Sequence, residues 1–244
     1  MLNMIIIDDD IYYAKKLMDY INESNDDIRV CNIALDGKEG LELLNNSEKI
    51  DIFLLDLKMP IYTGIEILDK LNEDKKNKYK KSCIVISGEI NMFKHIIGNN
   101  IIYSYMYKCC EFKYIVDKIN SLIKSKNELQ ENTRLREKIV NELNILHFNT
   151  SYLGTKYLKE CIYYIMKDMN NNFENLKKEV YPKIANKYNK TMHNIKCNIN
   201  SAVNAMYFDC ESQVIIEYFN FTKDFKPTAK LIINTIINKI ENKE

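Results

Sequence analysis

The sequence predicts two folds in succession, an α/β domain built on a doubly wound parallel sheet and then an all-α domain. In residues 1–124, short apolar runs rich in Ile, Val or Tyr alternate with amphipathic stretches. This pattern is typical of buried strands separated by helices. Five strands alternating with five helices favour a parallel sheet covered on both faces, with right-handed crossovers. Beyond residue 141 the strand pattern disappears and helical patterns remain.

The predicted elements of the first half alternate strictly along the chain. The strands are predicted at Met4–Ile7, Arg29–Ala34, Ile52–Leu55, Cys83–Ile86 and Tyr103–Tyr107. The helices are predicted at Ile11–Asn22, Lys38–Leu44, Ile65–Leu71, Asn91–Ile97 and Lys113–Ile123. The sheet should therefore be five-stranded and parallel throughout.

The second half contains only helical patterns. Residues 125–140 carry dense mixed charge and few large apolar side chains, so we expect a linker or an exposed helical extension there. The domains are then 1–124 and 141–244. The predicted helices of the second domain are Leu153–Asp168, Phe173–Glu179, Pro182–Tyr188, Met192–Met206, Ser212–Tyr218 and Thr228–Glu241.

Composition limits the class of protein. Of the 244 residues, 46% are hydrophobic and 28% charged, which suits two packed domains. No run of about 18 apolar residues occurs, so no membrane span is expected. The start MLNMIIIDDD places acids directly after a short apolar run, which argues against a signal peptide and favours a cytoplasmic protein. The seven cysteines include no C-x-x-C pair, so we expect reduced thiols rather than disulfides or a zinc site.

Charged and hydroxyl side chains follow four of the five predicted strands. They are Asp8 and Asp9 after the first strand, Asp56 after the third, Ser87 at the end of the fourth and Lys108 after the fifth. The carboxyl ends of the strands form the ligand-binding edge of a doubly wound sheet, so these groups should converge. A single acid at a strand end is usually only solvated. Three acids, a hydroxyl and an ammonium at one edge are better explained by a binding site.

The three carboxylates would repel one another without a cation between them. Mg²⁺ prefers one or two carboxylates together with water and phosphate oxygens. With Mg²⁺ bound, Asp56 could attack a phosphorus centre, because the metal and Lys108 offset the developing charge. A phosphatase of the haloacid dehalogenase type would need a second acid at position 58, which is lysine. We therefore expect a phosphate acceptor rather than an enzyme.

The segment after the third strand resembles that of response-regulator receiver domains. Asp56-Leu57-Lys58-Met59-Pro60, followed by Gly64, is similar to the family signature D-x-x-M-P-x-x-x-G, and the resemblance extends over residues 1–124. It implies a flavodoxin-like fold, phosphorylation by a sensor histidine kinase or phosphotransferase, and dimerisation once phosphorylated. The roles it implies are Mg²⁺ binding by Asp8, Asp9, Asp56 and the backbone of Lys58, phosphate acceptance by Asp56, switching by Ser87 and Tyr105, and phosphate sensing by Lys108.

Two positions depart from the receiver pattern. Cys109 stands where the family usually has proline, so the loop after the fifth strand is expected to be set differently. Gly88 stands where alanine is common, which would open access to the phosphoryl group. Neither change removes a charged group from the pocket.

A helix-turn-helix pattern lies in the second half. Its first helix is Tyr181–Tyr188, with Pro182 at an early helical position, and Thr191 is a plausible N-cap of the second helix. That second helix has a buried face at Ile195, Ile199, Ala202, Val203 and Met206. Its exposed face would carry His193, Asn194, Lys196, Cys197, Asn200 and Ser201, together with the N-cap Thr191. Such a helix can enter the DNA major groove; an ordinary helical hairpin is the alternative.

The second domain resembles the effector domain of the sporulation stage 0 regulators, which control endospore formation. The resemblance rests on Val180–Thr191, Gly154–Leu158, Phe219–Thr222 and Lys226–Thr228, and spans roughly 141–241. It implies a phosphorylation-controlled, DNA-binding transcription regulator of sporulation initiation or a related developmental pathway.

The exposed face of the second helix departs from that family. The family has arginines there, whereas this chain has Asn194, Lys196, Cys197 and Asn200. Arginine reads guanine and asparagine prefers adenine, and each lost bidentate contact costs about 1–3 kcal/mol of discrimination. We therefore expect the family's usual operator to bind weakly. The alternative is a receiver-controlled interaction module whose helical domain binds another regulator or an RNA polymerase sigma factor.

Overall fold

The computed structural model describes residues 1–24, 26–46, 50–73, 81–168, 175–223 and 225–242. They form two compact units, Met1–Lys126 and Asn127–Glu244. The first unit contains a sheet with an apolar core on each face, and the second contains helices around a single core.

The first unit contains a five-stranded parallel sheet, as predicted. The strands are β1 (Leu2–Ile7), β2 (Ile28–Ala34), β3 (Ile52–Leu55), β4 (Ser82–Ser87) and β5 (Ile102–Tyr107). They lie in the order β2-β1-β3-β4-β5, and every neighbouring pair is parallel. This is the flavodoxin-like order, in which the winding direction reverses between β1 and β3. The predicted fold class is confirmed.

Alternation along the strands divides the core between the two faces of the sheet. Met4 and Ile6 of β1 point to the face covered by α1 (Ile11–Ser24) and α4 (Phe112–Ile145). Ile5 and Ile7 point to the face covered by α2 (Gly37–Asn46) and α3 (Gly64–Glu73). All four side chains are buried. Burial on both faces explains why the strands read as unbroken apolar runs.

The predicted helix Asn91–Ile97 is wrong, because the segment forms a 3-10 turn over Ile90–His95. Glu89, which precedes the turn, makes no side-chain capping hydrogen bond. Gly98 follows with φ +86°, which ends any helical continuation. A short segment without a cap gains too little to propagate an α-helix.

Residues 125–140 are helical. The predicted helix Lys113–Ile123 is the first part of α4, which continues to Ile145. Of the two possibilities left open for this charged segment, the helical extension is the one observed. Arg136 of this segment, and Glu142 farther along α4, make contacts within the second unit.

The second unit is all helical, as predicted. Its helices after α4 are α5 (Leu153–Asp168), α6 (Tyr181–Tyr188), α7 (Met192–Asp209), α8 (Ser212–Phe219) and α9 (Ala229–Glu241). The predicted helix Phe173–Glu179 begins outside the described residues, and its described part belongs to a π-helical turn over Leu176–Val180. Ile195 and Ile199 of α7 lie fully buried in the core, as their spacing predicts.

Two negative findings hold for the described part of the chain. None of its helices is both long and apolar enough to cross a membrane. All seven cysteines, which lie within the described ranges, are free thiols.

Gly154 allows α5 to pack closely against α7. A Cβ atom at this position would overlap the carbonyl oxygen of Asn198 and lie 2.8 Å from the Cβ of Ala202. Gly88 is the opposite case, because a Cβ there would meet no atom within 4 Å. Gly88, which lies in the first unit, therefore provides a control in which the added methyl meets no neighbour.

We expect Gly154→Ala to lower the free energy of unfolding by about 1–3 kcal/mol, because the added methyl overpacks the α5–α7 contact. Without that contact, glycine-to-alanine replacement in a helix stabilises by roughly 0.5–1 kcal/mol. Gly88→Ala should change stability by less than about 0.5 kcal/mol. Urea unfolding of both variants measures this, and a Gly154→Ala variant as stable as the natural protein would contradict the packing.

Candidate functional site

The predicted acidic residues converge where the winding of the sheet reverses. Asp8 follows β1 and Asp56 follows β3, and these carboxylates are only 3% and 5% exposed. Asp9 is exposed beside them. One carboxylate oxygen of each of the three lies within 4.8 Å of those of the other two. The sheet topology alone brings these residues together, since their strands are hydrogen-bonded neighbours.

Lys108 closes the pocket from β5. Its Nζ lies 2.9 Å from Oδ1 of Asp8 and 2.6 Å from Oδ2 of Asp56. Its backbone N–H donates to the carbonyl of Ser87 at 3.2 Å, which fixes the lysine at the end of the sheet. The ring of Tyr13 lies 5.3 Å from Nζ and adds a cation–π contact.

Burial and charge oppose each other in this pocket. Burial raises the pKa of Asp8, and the hydrogen bond from Lys108 offsets only part of that effect. Burial lowers the pKa of Lys108, but hydrogen bonds and charges from Asp56 and Asp8 outweigh it, so the pKa is raised. One ammonium thus faces three carboxylates. The remaining negative charge and the all-oxygen donor set fit a hard divalent cation such as Mg²⁺.

The Asp56 carboxylate is held in one orientation. Its Oδ1 accepts from the backbone N–H groups of Leu57 at 2.6 Å and Lys58 at 3.3 Å. Its Oδ2 is left to Lys108 and the pocket. Gly64 packs against this turn, since a Cβ there would overlap the carbonyl oxygen of Asp56, and its N–H donates to the carbonyl of Leu57 at 3.0 Å. This close contact explains why the signature has glycine eight residues after Asp56, since any larger residue would collide with the backbone of Asp56.

Lys58 contributes no side-chain atom to the pocket. Its ammonium is exposed and pairs with Glu89 at 3.1 Å. Binding of Mg²⁺ by its backbone stays a prediction.

The two predicted switch residues lie in different environments. Ser87 is fully buried at the end of β4, and its Oγ accepts from the N–H of Glu89 at 3.3 Å. Tyr105 is 47% exposed, and its ring stacks on Phe93 with 5.5 Å between centroids. Phe93, Tyr13 and Glu89 are contacts that the sequence analysis did not identify. Tyr13 could have been found, because it lies in the first turn of the helix that follows Asp9.

The two departures noted in the sequence lie after different strands, Gly88 after β4 and Cys109 after β5. Cys109 is exposed, and the described residues contain no cis peptide bond. Gly88 borders open space. The consequences of Cys109 and Gly88 for phosphate access stay predictions.

In the second unit, α6 and α7 are joined by a tight turn. Asn189 adopts a left-handed conformation with φ +49° and ends α6, and its N–H donates to carbonyls of the last helical turn. Thr191 caps α7, because its Oγ1 accepts from the N–H of Asn194 at 3.2 Å. The two helices and this turn form the predicted helix-turn-helix.

One face of α7 is open to solvent. The residues predicted for that face, with the N-cap, are all exposed: Thr191, His193, Asn194, Lys196, Cys197, Asn200 and Ser201. The opposite face packs into the core. The surface that a recognition helix would present is therefore accessible within this unit.

Comparison with known protein families is decisive for the class of protein. The model for the response regulator receiver domain matches residues 4–120. The model described as "Sporulation initiation factor Spo0A C terminal" matches residues 139–240. The chain is a response regulator of the Spo0A type. Both resemblances seen in the sequence are confirmed.

One curated relative matches about half of the chain. A "Probable transcriptional regulator ycf29" from Porphyra purpurea is 30% identical over 123 residues. That match covers 50% of this chain and 56% of the relative, so the chain spans little more than half of that relative's length.

Solved structures also match about half of the chain. A LuxR-family DNA-binding response regulator from Staphylococcus aureus has a TM-score of 0.45 at 20% identity, covering 50% of this chain and 98% of its own. The structure of a CheX–CheY–BeF3–Mg complex from Borrelia burgdorferi has a TM-score of 0.43 at 26% identity, covering 50% of this chain and 89% of its own.

A buried ion-pair cluster supports the helix-turn-helix of this Spo0A-type regulator. Glu160 of α5 is 6% exposed. Its Oε1 lies 2.7 Å from Arg136 of α4, and its Oε2 pairs with Lys187 of α6. The Arg136 guanidinium also lies 3.8 Å from the ring centroid of Tyr163. Glu160 thereby ties the first helix of the motif to two other helices.

The pKa of Glu160 reflects the same contacts. Burial raises it, but hydrogen bonds and charges from Lys187 and Arg136 outweigh burial, and the net pKa falls below its ordinary value of 4.5. In the unfolded chain Glu160 loses these cations and takes up a proton at higher pH. Its stabilising contribution is therefore complete above the ordinary pKa and is lost as pH falls through the lower, folded-state value.

We expect Glu160→Gln to lower the free energy of unfolding at neutral pH by about 1–3 kcal/mol, because charged hydrogen bonds to a buried group are lost. The free energy of unfolding of the variant should also fall less than that of the natural protein between about pH 6 and pH 3. Urea unfolding across that range measures both effects. The exposed Glu211 provides the control, since Glu211→Gln should change stability by less than about 0.5 kcal/mol. A Glu160→Gln variant that tracks the natural protein at every pH would contradict the cluster.

Proposed function

We propose that this response regulator accepts a phosphoryl group on Asp56 and that this phosphorylation controls its own activity as a sequence-specific DNA-binding transcription regulator. The observation that carries the proposal is the position of Asp56, buried beside Asp8 and Asp9 with its Oδ2 on Lys108. The biological setting we propose is sporulation initiation or a related developmental pathway. The phosphoryl donors we propose are a sensor histidine kinase or a phosphotransferase.

Asp56 Oδ2 is the proposed nucleophile. The two backbone N–H groups on Oδ1 keep the carboxylate from rotating. During transfer the bond between phosphorus and its donor breaks and a new bond forms to Asp56, which becomes an acyl phosphate. Lys108 stabilises negative charge on the phosphoryl oxygens. The residues that would hold Mg²⁺ are Asp8, Asp9, Asp56 and the backbone of Lys58. Bound there, the ion would neutralise charge on the phosphoryl group.

The proposed switch uses Ser87 and Tyr105. Ser87 is buried at the end of β4, and its hydroxyl could turn to donate to a phosphoryl oxygen. Tyr105 is partly exposed, and its ring stacks on Phe93. In the proposed switch this ring would move from its outward position. The switch would be a local repacking of the Ser87 and Tyr105 side chains that favours one of two conformations of the receiver surface. Homodimerisation after phosphorylation is the consequence we propose.

The proposed DNA contact is the exposed face of α7. Residues 141–244 contain 14 lysines and 11 acidic residues, a small positive excess that permits contact with phosphates. Asn194 and Asn200 favour adenine, whereas the family's arginines read guanine. The preferred site should therefore differ from the family's usual operator.

A second candidate function is a receiver-controlled interaction module. The specific observation in its favour is the absence of arginine from residues 141–244 and so from the exposed face of α7. In this case the helical unit would bind another regulator or a sigma factor of RNA polymerase. The helix-turn-helix backbone and the Thr191 cap favour the DNA-binding function instead.

Phosphorylation can be tested directly. With acetyl phosphate and Mg²⁺, we expect the full chain to gain one acyl phosphate per molecule, labile to acid, alkali and hydroxylamine. Asp56→Asn should gain none, because the amide that replaces the Asp56 carboxylate cannot attack phosphorus, and chelation of the metal should prevent the reaction. Asp9→Asn is the matched control: it removes a charge but keeps the nucleophile, and should react more slowly. Intact-protein mass spectrometry measures the phosphate content of the natural protein, the chelated sample and the two variants. Equal labelling of Asp56→Asn and the natural protein would contradict the assignment.

The two candidate functions differ in how binding responds to salt. If α7 contacts DNA, affinity for a selected duplex should fall linearly with the logarithm of salt concentration, because phosphate contacts release counterions. Lys196→Ala should reduce that slope by about 1 if this lysine contacts a phosphate. Lys167 is an exposed lysine of α5, and Lys167→Ala should leave the slope unchanged. Absence of any salt-dependent binding across a randomised duplex pool would favour the interaction module.

A further inference from the structure

The exposed face of α7 contains a pair of potential metal ligands. His193 and Cys197 lie four residues apart, so they occupy the same face on successive turns of the helix. The Sγ of Cys197 lies 3.4 Å from the Nε2 of His193. Both side chains are exposed to solvent. Neither takes part in the packing of the helical unit, so neither is explained by the stability of the fold.

The separation of the two atoms suits a tetrahedral metal. Zinc binds thiolate sulfur at about 2.3 Å and imidazole nitrogen at about 2.0–2.1 Å, and a tetrahedral angle between them puts the two ligand atoms about 3.5 Å apart. The observed 3.4 Å matches this within the tolerance expected of a metal site. Two ligands on successive turns of one helix are also how helical zinc motifs present paired histidines.

The ligand atoms of this pair favour a different metal ion from the one that the acidic pocket favours. Thiolate and imidazole favour Zn²⁺ and other thiophilic or borderline ions, whereas carboxylates favour Mg²⁺. Among the described residues no third His, Cys, Asp or Glu lies close enough to complete the set. The site is therefore open, with positions left for water or for an atom of whatever lies against α7.

We propose that His193 and Cys197 form an open two-ligand site for Zn²⁺ or a similar thiophilic divalent ion on the exposed face of α7. On binding, the thiol loses its proton to solvent and sulfur and imidazole nitrogen each donate an electron pair to the ion. The proposal departs from the expectation, drawn from the lack of C-x-x-C pairs, that the cysteines are reduced thiols without a zinc site. The ion would lie on the surface proposed to contact DNA, although the site itself does not depend on that function.

Cobalt provides a direct test, because Co²⁺ bound to a thiolate gives a near-ultraviolet charge-transfer band and oxygen ligands do not. The full chain is titrated with Co²⁺ under a non-thiol reductant. We expect the band to reach a plateau whose intensity corresponds to one thiolate-bound Co²⁺ per chain, and to disappear when Zn²⁺ is added. Because loss of even an outer-shell partner costs about 10–100-fold in metal affinity, Cys197→Ser should abolish the band and His193→Gln should weaken binding at least tenfold.

Three controls keep the test specific. Cys31→Ser and Cys109→Ser remove the other exposed thiols and should leave the band unchanged. The double variant Cys197→Ser/Asn200→Cys keeps one cysteine on the exposed face, but seven residues from His193, about 10 Å along the helix. It should not bind, because the two ligands can no longer reach one ion. Circular dichroism verifies that each variant remains folded.

The proposal fails on any of three results. These are absence of a thiolate band at millimolar Co²⁺, persistence of the band in Cys197→Ser, and equal affinity for the relocated cysteine. The first would show that the pair is only a thiol–imidazole hydrogen bond. Since the readout is metal absorption, a failure to bind DNA would leave the result intact, and loss of the metal site would leave phosphorylation and DNA binding to be judged separately.

Discussion

The two short ion pairs of Lys108 are the interaction on which the receiver site depends. They connect residues that follow three strands: Asp8 after β1, Asp56 after β3 and Lys108 after β5. A partly buried lysine at this edge of the sheet would be costly without these acids, and the acids would repel one another without the lysine. Yet a single ammonium cannot balance three carboxylates. The ion pairs stabilise the arrangement of these side chains, yet the pocket still has a net negative charge. This net charge favours the binding of a divalent cation, which in turn would favour the transfer of a charged phosphoryl group to the pocket.

Much of the fold and of the pocket could be predicted from the sequence, because each is set by short-range patterns. Apolar runs fixed the strands, and the parallel topology then required their carboxyl ends to meet, so Asp8, Asp56 and Lys108 followed directly. The 3-10 turn at Ile90–His95 could not be predicted in this way. Its apolar spacing resembles a helix, and what decides against one is the missing cap and the backbone of Gly98. The partly exposed position of Tyr105 could not be predicted from the sequence either, because it depends on the contact with Phe93 from that same turn.

The helical unit shows a second limit of sequence reasoning. Its apolar faces were readable, because they repeat along each helix, but its buried polar contacts join residues far apart in the chain. Glu160 meets Arg136 and Lys187, and Tyr218 donates to Glu142 at 2.6 Å with both side chains buried. Periodicity does not distinguish such a glutamate from a solvated one. These contacts matter because buried polar groups without partners are destabilising, so each pair favours one arrangement of the helices over others with similar apolar contacts.

The two faces of α7 are under different constraints. Its buried face must fit α5 and α6, and any change there would leave a cavity or an overlap. Its exposed face makes no such contacts, so the residues on it are free to change with the ligand. A helix-turn-helix that keeps Thr191, Asn189 and the buried isoleucines therefore keeps its shape whatever it binds. The sequence has Asn194, Lys196, Cys197 and Asn200 where the family has arginine. That surface therefore lacks the bidentate guanine contacts of arginine, and the ligands we propose for it are adenine edges and a thiophilic metal ion. Family membership thus establishes the scaffold, while the ligand of this helix must be inferred from its own exposed side chains.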